Sequence, residues 1–389
     1  MSMDYFKKSL KLHKKLRGKL EIKSKMSLRN KIDLSLAYTP GVAEVSRVIS
    51  KNKKLAYDYT LKANSVAVIT DGSAVLGLGN IGPEAALPVM EGKALLFKEL
   101  AGIDAYPIAL ATQDTEKIIE TIKNIATGFG GINLEDISAP RCFEIEERLK
   151  KELDIPVMHD DQHGTAIVIL AALINALKVV KKKKGRIKLV INGAGAAATA
   201  TTNLLMLYGI KGKNIIMVDS QGIIYAGREN LNGKKKEIAK KTNPAKVKGT
   251  LKEALVQADV FIGVSVANVL KPECVGAMAE NPIVFAMANP NPEIKPELVK
   301  KTKIKVFGTG RSDYPNQINN VLAFPGIFRG ALDARAKQIT NKMKIAAAEA
   351  ISKLVSPKKL SPDFIIPKAL DKRVTKAVAK AIKKFARKN

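Results

Sequence analysis

The residues of this chain best suited to chemistry lie in a short stretch of acids and histidines near its middle. Residues 155–166 read I-P-V-M-H-D-D-Q-H-G-T-A, so that Asp160 and Asp161 stand between a short apolar run and a long one. The first run is typical of a strand end and the second of a buried helix. Acids at a strand end that opens a helix are a common place for the chemistry of α/β enzymes. We therefore predict that Asp161 is a metal ligand and that this stretch joins two domains.

A second pair of adjacent acids, Glu135 and Asp136, follows the strand-like segment I-N-L and precedes a Pro-Arg turn. Taken alone, this pair is explained more simply as a helix cap. Together with Asp161 it offers three carboxylates, the oxygen ligands that Mg²⁺ and Mn²⁺ prefer. His159 and His163 have a spacing that zinc sites use, but no third nitrogen or sulfur ligand is apparent in the sequence. A hard divalent cation is therefore the preferred interpretation.

Four single residues have suitable chemistry but ambiguous surroundings. Lys93 lies on a helix predicted over residues 84–100 among small and apolar neighbours. Desolvation there would lower its pKa and make the amine usable as a base, although a lysine on a helix is more often solvated. Tyr38 begins a Y-T-P-G turn, where covering an edge of the core is the simpler role. Asn289 and Asn320 lie near turns and are equally explained by them.

Residues 187–219 contain a complete βαβ pattern, which predicts a dinucleotide site. The run I-K-L-V-I is followed by N-G-A-G-A-A-A, a helix, and a strand that ends in Asp219. Glycines in such a turn let the backbone approach a pyrophosphate, the helix N-terminus faces it, and the terminal acid binds the ribose. In this context the G-x-G-x-x-G/A match is a strong signal. The predicted cofactor-binding residues of this unit are Gly193, Ala194, Gly195, Ala196, Ala198 and Asp219.

A second glycine pattern, Gly77 to Gly82, is not interpreted as a dinucleotide site. Pro83 follows at once, and the acid at the expected distance, Asp104, begins a strand rather than ending one. We predict instead a tight loop against a substrate.

Strands alternate with helical stretches along the rest of the chain, which indicates parallel sheets. We predict an α/β fold of two domains. Residues 1–160 form an N-terminal substrate and metal domain, and residues 161–389 form a Rossmann-type doubly wound parallel sheet with C-terminal helices.

Composition narrows the function classes. The 389 residues carry a net charge of +30 and are 46% hydrophobic. Such a charge suggests nucleic-acid binding, but the lysines are spread over the whole chain with few aromatics between them. We expect solvated lysine-rich faces and a field that attracts anionic substrates.

Targeting signals and membrane spans are not evident. The N-terminus lacks the apolar core of a signal peptide, and the apolar run 165–180 is shorter than the ~20 residues of a membrane span. Two distant cysteines fit a reducing compartment. The predicted location is cytoplasmic, with no membrane and no nucleic-acid partner.

Taken in order, the motifs resemble those of the malic enzyme family, in its short prokaryotic form. The resemblance covers about residues 25–385 and depends on the joint order of Y-T-P-G-V-A, T-D-G-S, G-L-G-N-I-G, P-V-M-E-G-K, L-E-D, H-D-D-Q-H-G-T, G-A-G-A-A, A-N-P and N-N-x-x-x-F-P-G. It implies oxidative decarboxylation of (S)-malate to pyruvate and CO₂ with NAD⁺ or NADP⁺ and Mg²⁺ or Mn²⁺.

The resemblance also implies roles for single residues. Lys93 matches the general base and Tyr38 the general acid. The metal ligands are matched by Glu135, Asp136 and Asp161, with Asp160 as the supporting acid beside them. Asn289 and Asn320 match substrate-binding amides, and Asn289 also lies on the cofactor side.

One departure from the family pattern affects substrate binding. The loop T-D-G-S-A at residues 70–74 lacks the arginine that larger malic enzymes place on the substrate carboxylate, so Ser73 or backbone amides are expected to replace it. The chain also stops where some bacterial relatives continue into a further domain.

Several alternatives stay open. Asp219 favours NAD⁺, whereas Ser220, Arg228 and Lys234 to Lys236 would tolerate a 2′-phosphate. An amino-acid or folate dehydrogenase is an alternative that leaves the acids unexplained, and a basic nucleic-acid binder leaves the βαβ unit unexplained. A homodimer is expected, with the N-terminal helices or the C-terminal helix as its interface.

Overall fold

Short apolar runs rich in β-branched residues form the strands of two sheets. The computed structural model describes residues 5–386; residues 1–4 and 387–389, at the ends of the two predicted domains, lie outside the described part. The strands are β1 (Ser65–Thr70), β2 (Asp104–Ala109), β3 (Gly131–Leu134), β4 (Val157–His159), β5 (Leu189–Asn192), β6 (Ile215–Asp219), β7 (Gly222–Ile223), β8 (Val260–Gly263), β9 (Ile283–Ala286) and β10 (Val306–Thr309).

The helices fill the connections between these strands and extend the chain at both ends. They are α1 (Tyr5–Leu16), α2 (Lys31–Ala37), α3 (Val42–Lys51), α4 (Ala56–Tyr59), α5 (Pro83–Ala101), α6 (Thr115–Ile125), α7 (Arg141–Glu152), α8 (Asp160–Val179), α9 (Ala196–Leu207), α10 (Gly233–Lys241), α11 (Leu251–Leu255), α12 (Pro272–Gly276), α13 (Pro296–Val299), α14 (Phe324–Asp333), α15 (Asn341–Lys353) and α16 (Lys372–Ala386).

The first sheet has the strand order β2-β1-β3-β4, and all of its pairs are parallel. Its central strand β1 is buried along its whole length, as expected for a sheet covered by helices on both faces. The carboxyl ends of β3 and β4 lie side by side, because Leu134 pairs with His159.

The second sheet has the order β10-β9-β8-β5-β6-β7. Its strands are parallel except for the two-residue edge strand β7, which runs antiparallel to β6. Strand order reverses between β5 and β8, and the crevice at such a switch point is where doubly wound sheets bind ligands. The predicted α/β class with a Rossmann-type second sheet is confirmed, and the antiparallel edge strand is the feature that the sequence did not predict.

Helix α8 lies at the centre of the molecule. It is long and apolar enough to cross a membrane, but 78% of its apolar window is buried inside the protein. Residues 166–177 are all buried, and Asn175 donates hydrogen bonds to the carbonyls of Ser352 and Ile365. The prediction of a buried core helix is therefore confirmed. The helix begins earlier than predicted, so that Asp160 and Asp161 form its first turn.

The C-terminal helices pack back onto the N-terminal half. Phe324 and Phe328 of α14 lie edge-on against Phe97 of α5, with ring centroids 4.7 and 5.4 Å apart. Val374 and Val378 of α16 are buried, as the helical stripe predicted. Because one core cluster contains residues of both halves, the boundary between residues 160 and 161 stays a prediction.

Candidate active site

A cavity of about 910 Å³ opens where the carboxyl ends of the two sheets face each other. Its wall brings together Lys93 from α5, the acids after β3, Asp161 of α8, and two asparagines from loops of the second sheet. The predicted site residues that line it are Lys93, Glu135, Asp136, Asp161, Gly195, Ala196, Asn289 and Asn320. Residues from both sheets therefore contribute to one cleft.

Strand register explains why the acids meet. Leu134 of β3 lies opposite His159 of β4, so the residues that follow each strand emerge next to each other. The backbone N–H of Asp136 donates to the Asp161 carboxylate at 2.8 Å. Glu135, Asp136 and Asp161 each place a carboxylate oxygen within 4.8 Å of the others. The predicted three-carboxylate cluster therefore exists.

Electrostatics make this cluster costly without a cation. Burial, followed by the charges of Asp161 and Glu135, raises the pKa of Asp136 to about 9. Burial also raises the pKa of Glu135, although the Lys93 charge opposes the shift. One oxygen of the Asp136 carboxylate is buried and has no hydrogen-bond partner. Crowded, buried carboxylates with a free oxygen are what a hard divalent cation requires, so the donor set fits Mg²⁺ or Mn²⁺.

Lys93 lies between this cluster and Asp160. Its Nζ is 2.9 Å from Glu135 and 2.7 Å from Asp160, and the side chain is only 6% exposed. The ammonium also lies 4.2 Å from the ring centroid of Phe324. Burial alone would lower the pKa of Lys93, but the charges of Asp160 and Glu135 outweigh it and raise the pKa above its ordinary value. The expectation of a lowered pKa from apolar neighbours is therefore wrong, because the decisive neighbours are acids.

Asp160 is fully buried and does not line the cleft. One of its oxygens accepts from Lys93 at 2.7 Å, and the other is buried without a partner. Burial raises its pKa to about 6, although the Lys93 charge opposes the shift. Asp160 lies beside Lys93 and outside the three-carboxylate cluster, and its supporting role stays a prediction.

The two histidines of the stretch separate into different environments. His159 lines the cleft and is fully buried, with no hydrogen-bond partner for either ring nitrogen. His163 points away from the cluster of Glu135, Asp136 and Asp161, since its Nε2 lies 2.9 Å from Glu146 on α7. Within residues 5–386, the cluster of Glu135, Asp136 and Asp161 is the one group with metal-ligand geometry, and neither histidine belongs to it.

Besides Asp160, two residues predicted for catalysis or substrate binding, Ser73 and Tyr38, do not line the cleft. Ser73 is buried in a hydrogen-bond network, where its Oγ donates to Asp71 at 2.5 Å and accepts from the N–H of Ser138 at 2.9 Å. Arg141 closes this network through a 2.9 Å ion pair with Asp71. Tyr38 lies at the end of α2 and is 67% exposed. Ser73 therefore shapes the loop beside the cleft, and Tyr38 stays outside the cleft in a single copy.

The glycine turn after β5 lies at the carboxyl end of the second sheet. Gly193 has φ of +123°, and a Cβ there would come within 2.6 Å of the Val264 carbonyl oxygen, so the close approach requires glycine. Gly195 caps α9. A further cavity of about 830 Å³ runs from this turn to Asp219 and meets the catalytic cleft at Gly195, Val264 and Ser265. Ala194 lines this cavity, whereas Ala198 is buried in the core beneath the turn.

Asp219 is held by two cations. Its carboxylate accepts from Arg228 at 2.9 and 2.5 Å, from Lys235 at 2.6 Å, and from the N–H of Gln221 at 3.0 Å. Burial alone would raise the pKa of Asp219, but hydrogen bonds from Arg228 and Lys235 lower it to about 2. The carboxylate is therefore ionised, and each of its oxygens already accepts two hydrogen bonds.

Several cleft residues were missed from the sequence. Thr165, Ser265 and Asn319 line the cleft. Asn319 was noticed only as a turn residue, and its side chain accepts from the N–H of Val321. Ser265 lies just after β8, at the switch point, and its Oγ accepts from Asn192 at 2.7 Å. Its place at the carboxyl end of a segment that reads as a strand, residues 258–266, was the signal that could have found it.

Comparison with known proteins agrees with this geometry. Residues 17–150 match the family model "Malic enzyme, N-terminal domain", and residues 162–387 match "Malic enzyme, NAD binding domain". The chain belongs to the malic enzyme family. A Bacillus subtilis protein named bifunctional malic/malolactic enzyme is 61% identical over 385 residues, which cover 99% of this chain and 93% of that protein. A Geobacillus stearothermophilus NAD-dependent malic enzyme is 57% identical, with coverage of 94% and 76%.

Solved structures of the family have the same fold. The crystal structure of malic enzyme from Pyrococcus horikoshii matches with a TM-score of 0.94 at 50% identity, covering 98% of this chain and 90% of that chain. The predicted family and the nicotinamide dinucleotide cofactor are therefore confirmed.

Proposed function

We propose that this enzyme oxidises (S)-malate and releases CO₂ to give pyruvate, with reduction of NAD⁺ or NADP⁺. The observation that carries the proposal is Lys93, a buried amine held between Glu135 and Asp160 at the wall of a cleft that also contains the dinucleotide turn. A base beside carboxylate ligands and a hydride acceptor is the set of groups that this reaction requires.

Glu135, Asp136 and Asp161 would hold the divalent cation. When bound, a cation there polarises the oxygens of the substrate, and a nicotinamide in the adjoining cavity accepts the hydride from C2. A cation would also add positive charge close to Lys93, and this lowers the pKa of the amine toward the range of a usable base. The cluster and the lysine therefore act together.

Lys93 is proposed to take the proton of the C2 hydroxyl as the hydride leaves C2. Asp160 then has a positioning role, because it holds the amine at 2.7 Å and compensates its charge when it is protonated. The resulting 2-keto acid loses its C4 carboxylate as CO₂. Asn289 and Asn320 line the cleft and offer amides to the substrate carboxylates. Loss of CO₂ leaves C3 in need of a proton, which is the role proposed for Tyr38.

A homodimer would bring Tyr38 to a cleft and cover an apolar surface. Helices α1, α2 and α3 have no buried residue in the single copy. Exposed large hydrophobic side chains are concentrated between residues 5 and 61, and they include Phe6, Ile22 and Leu36 at 78%, 98% and 70% exposure. Exposed large apolar side chains concentrated in one part of the chain are typical of an interface. We propose that a second copy covers it and that Tyr38 serves the cleft of the partner.

Coenzyme choice is proposed to favour NAD⁺ while accepting NADP⁺. Asp219 lies where a ribose hydroxyl would bind, but Arg228 and Lys235 already use its lone pairs and leave the cluster with a formal charge of +1. A 2′-phosphate would therefore meet cations as well as the carboxylate.

The proposal is tested by mixing the protein with L-malate, NAD⁺ or NADP⁺, and Mn²⁺, and following the reduced coenzyme with and without EDTA. Lys93→Met should abolish turnover while Lys98→Met, on the exposed face of the same helix, keeps it. Because the B. subtilis relative is named a malic/malolactic enzyme, lactate is measured beside pyruvate. Absence of any malate-dependent product with Mn²⁺ present would refute the proposal.

A further inference from the structure

A third cavity, of about 660 Å³, lies beside the first turns of α8. It shares no lining residue with the cleft that contains Lys93. It is enclosed by α7, the start of α8, α9, α10 and the start of α15. Its charged lining residues are Glu146, Glu147, Lys150, Lys234, Glu237, Lys241 and Lys344. Nothing in the proposed reaction uses this cavity.

Lys344 is the unusual residue of this cavity. Its side chain is only 4% exposed, and its Nζ lies 3.0 Å from Nδ1 of His163. Within the part of the chain that the structure describes, it forms no ion pair with a carboxylate. A buried ammonium without an anionic partner is strongly unfavourable. Burial, together with the nearby charge of Lys150, lowers the pKa of Lys344 to about 7.

The neighbours of Lys344 only partly offset its positive charge, because the charge of Glu146 raises the pKa of Lys344 less than burial and Lys150 lower it. Glu146 is the nearest candidate, but it accepts from His163 Nε2 at 2.9 Å and from the N–H of His159 at 2.9 Å, and pairs with Lys150 at 2.6 Å. Since Nε2 of His163 donates to Glu146, the ring is neutral and its Nδ1 accepts from Lys344. One hydrogen of the ammonium is used in this way, and two remain.

A second buried donor points to the same conclusion. Gln162 is 4% exposed and lines the cavity, and its side-chain nitrogen has no hydrogen-bond partner. Buried amides without partners are rare in native proteins. Lys241, also on the lining, forms no ion pair within residues 5–386. Leu204 and Leu207 of α9 supply an apolar wall.

We propose that this cavity binds a small organic anion, whose carboxylate or phosphate group pairs with Lys344 and Gln162 and whose apolar part lies against α9. The anion would supply the acceptors that the two buried donors lack, and Lys241 would add positive charge near the opening. The two donors that define the site, Lys344 and Gln162, are not assigned to malate, cation or coenzyme. Phe143 and Lys234 line both this cavity and the coenzyme cavity, so coenzyme is kept bound during the test.

The test is calorimetric titration of the full-length protein with two probes, inorganic phosphate and hexanoate. Reduced coenzyme is present at saturation, so that neither probe reports on the dinucleotide turn. The probe that binds more tightly identifies the head group. Lys344→Met should weaken binding at least tenfold, which corresponds to about 1.4 kcal/mol, and Gln162→Leu should weaken it about threefold.

Lys240→Met provides the matched control, since Lys240 is an exposed lysine of α10 that does not line the cavity. It should bind both probes like the wild type. Circular dichroism and thermal unfolding establish that each variant is folded. The proposal is overturned if the wild type binds neither probe at about 20 mM, or if Lys344→Met binds as tightly as the wild type. No turnover is measured, so failure here would leave the proposed reaction unaffected.

Discussion

Replacing Asp161 by Asn should have opposite effects on the cation-free and the cation-bound protein. The substitution keeps the shape of the side chain and an oxygen that can accept from the N–H of Asp136, now at 2.8 Å. It removes the charge of one of three carboxylates whose oxygens lie within 4.8 Å of each other. Without a cation, this loss relieves repulsion. With a cation, it removes a ligand charge.

The magnitude follows from the geometry. Two unit charges 4.8 Å apart interact by about 3.5 kcal/mol at an effective dielectric constant of about 20. Asp161 is 34% exposed, so solvent screening reduces the gain of the cation-free variant to about 1–2 kcal/mol. The substitution also removes the attraction between the Asp161 carboxylate and a doubly charged cation. This attraction is at least as large as the repulsion between two carboxylates. A loss of about 3 kcal/mol weakens cation binding by about two orders of magnitude.

Asp136 determines whether the free energy of unfolding, measured without a cation, rises or falls with pH. Its pKa is raised from 3.8 to about 9, so its contribution to stability is fully present below pH 3.8 and is lost as the pH rises toward about 9. The cation-free wild type should therefore lose stability across this window, and the variant should lose less because the charge of Asp161 is a cause of the shift.

Urea unfolding at pH 6 and pH 8, in EDTA and in Mn²⁺, measures these effects, and Mn²⁺ titration gives the affinity. Asp154→Asn, a change of the same type at an exposed acid outside the cleft, provides the control. We expect the Asp161 variant to be the more stable protein in EDTA at pH 8 and the less stable one in Mn²⁺. Equal Mn²⁺ affinity in variant and wild type would show that the three acids are not a cation site.

The other predictions concern the coenzyme and the acid. Lys235→Gln should raise KM for NADP⁺ about tenfold and change KM for NAD⁺ little, because a charge-assisted contact is worth about 1.5–3 kcal/mol. Lys240→Gln, at an exposed position of the same helix outside the coenzyme cavity, is the control, and equal effects on both coenzymes would contradict the assignment. Tyr38→Phe should lower the rate of pyruvate formation at least tenfold, and mixing it with Lys93→Met should restore turnover if the partner supplies the acid. Gly193→Val should weaken NADH binding, measured by fluorescence, because its side chain would collide with the Val264 carbonyl.

The parts of the predicted cofactor side are local in the sequence, which is why a pattern could group them. Strand, glycine turn, helix and terminal acid occupy one continuous segment between residues 187 and 219, and the structure places Gly193, Gly195 and Asp219 along one cavity. The contacts of Asp219 with Arg228 and Lys235 were not predicted in detail. They depend on how the loop after β7 folds back, which periodicity does not specify.

The acid cluster was predictable for a different reason. Parallel strands end at the same edge of a sheet, so acids that follow two strands are expected to be close if those strands are neighbours. The sequence does not show that β3 and β4 are adjacent, so Glu135 and Asp136 were grouped with Asp161 for their shared ligand chemistry, and the family resemblance implied the same set. Ser73 illustrates the opposite case, since its place in the loop was correct but its hydroxyl is used by Asp71 and Ser138.

The proton state of Lys93 is a property that no local pattern contains. Apolar neighbours on α5 predicted a lowered pKa, but Asp160, 67 residues away in the chain, lies 2.7 Å from the ammonium and reverses the shift. A lysine held this tightly is a poor base until positive charge arrives nearby. The cluster of Glu135, Asp136 and Asp161 would bring that charge only when it holds a cation. The arrangement would therefore couple the proposed base to the proposed cation, and we expect the apparent pKa of turnover to depend on which cation is added.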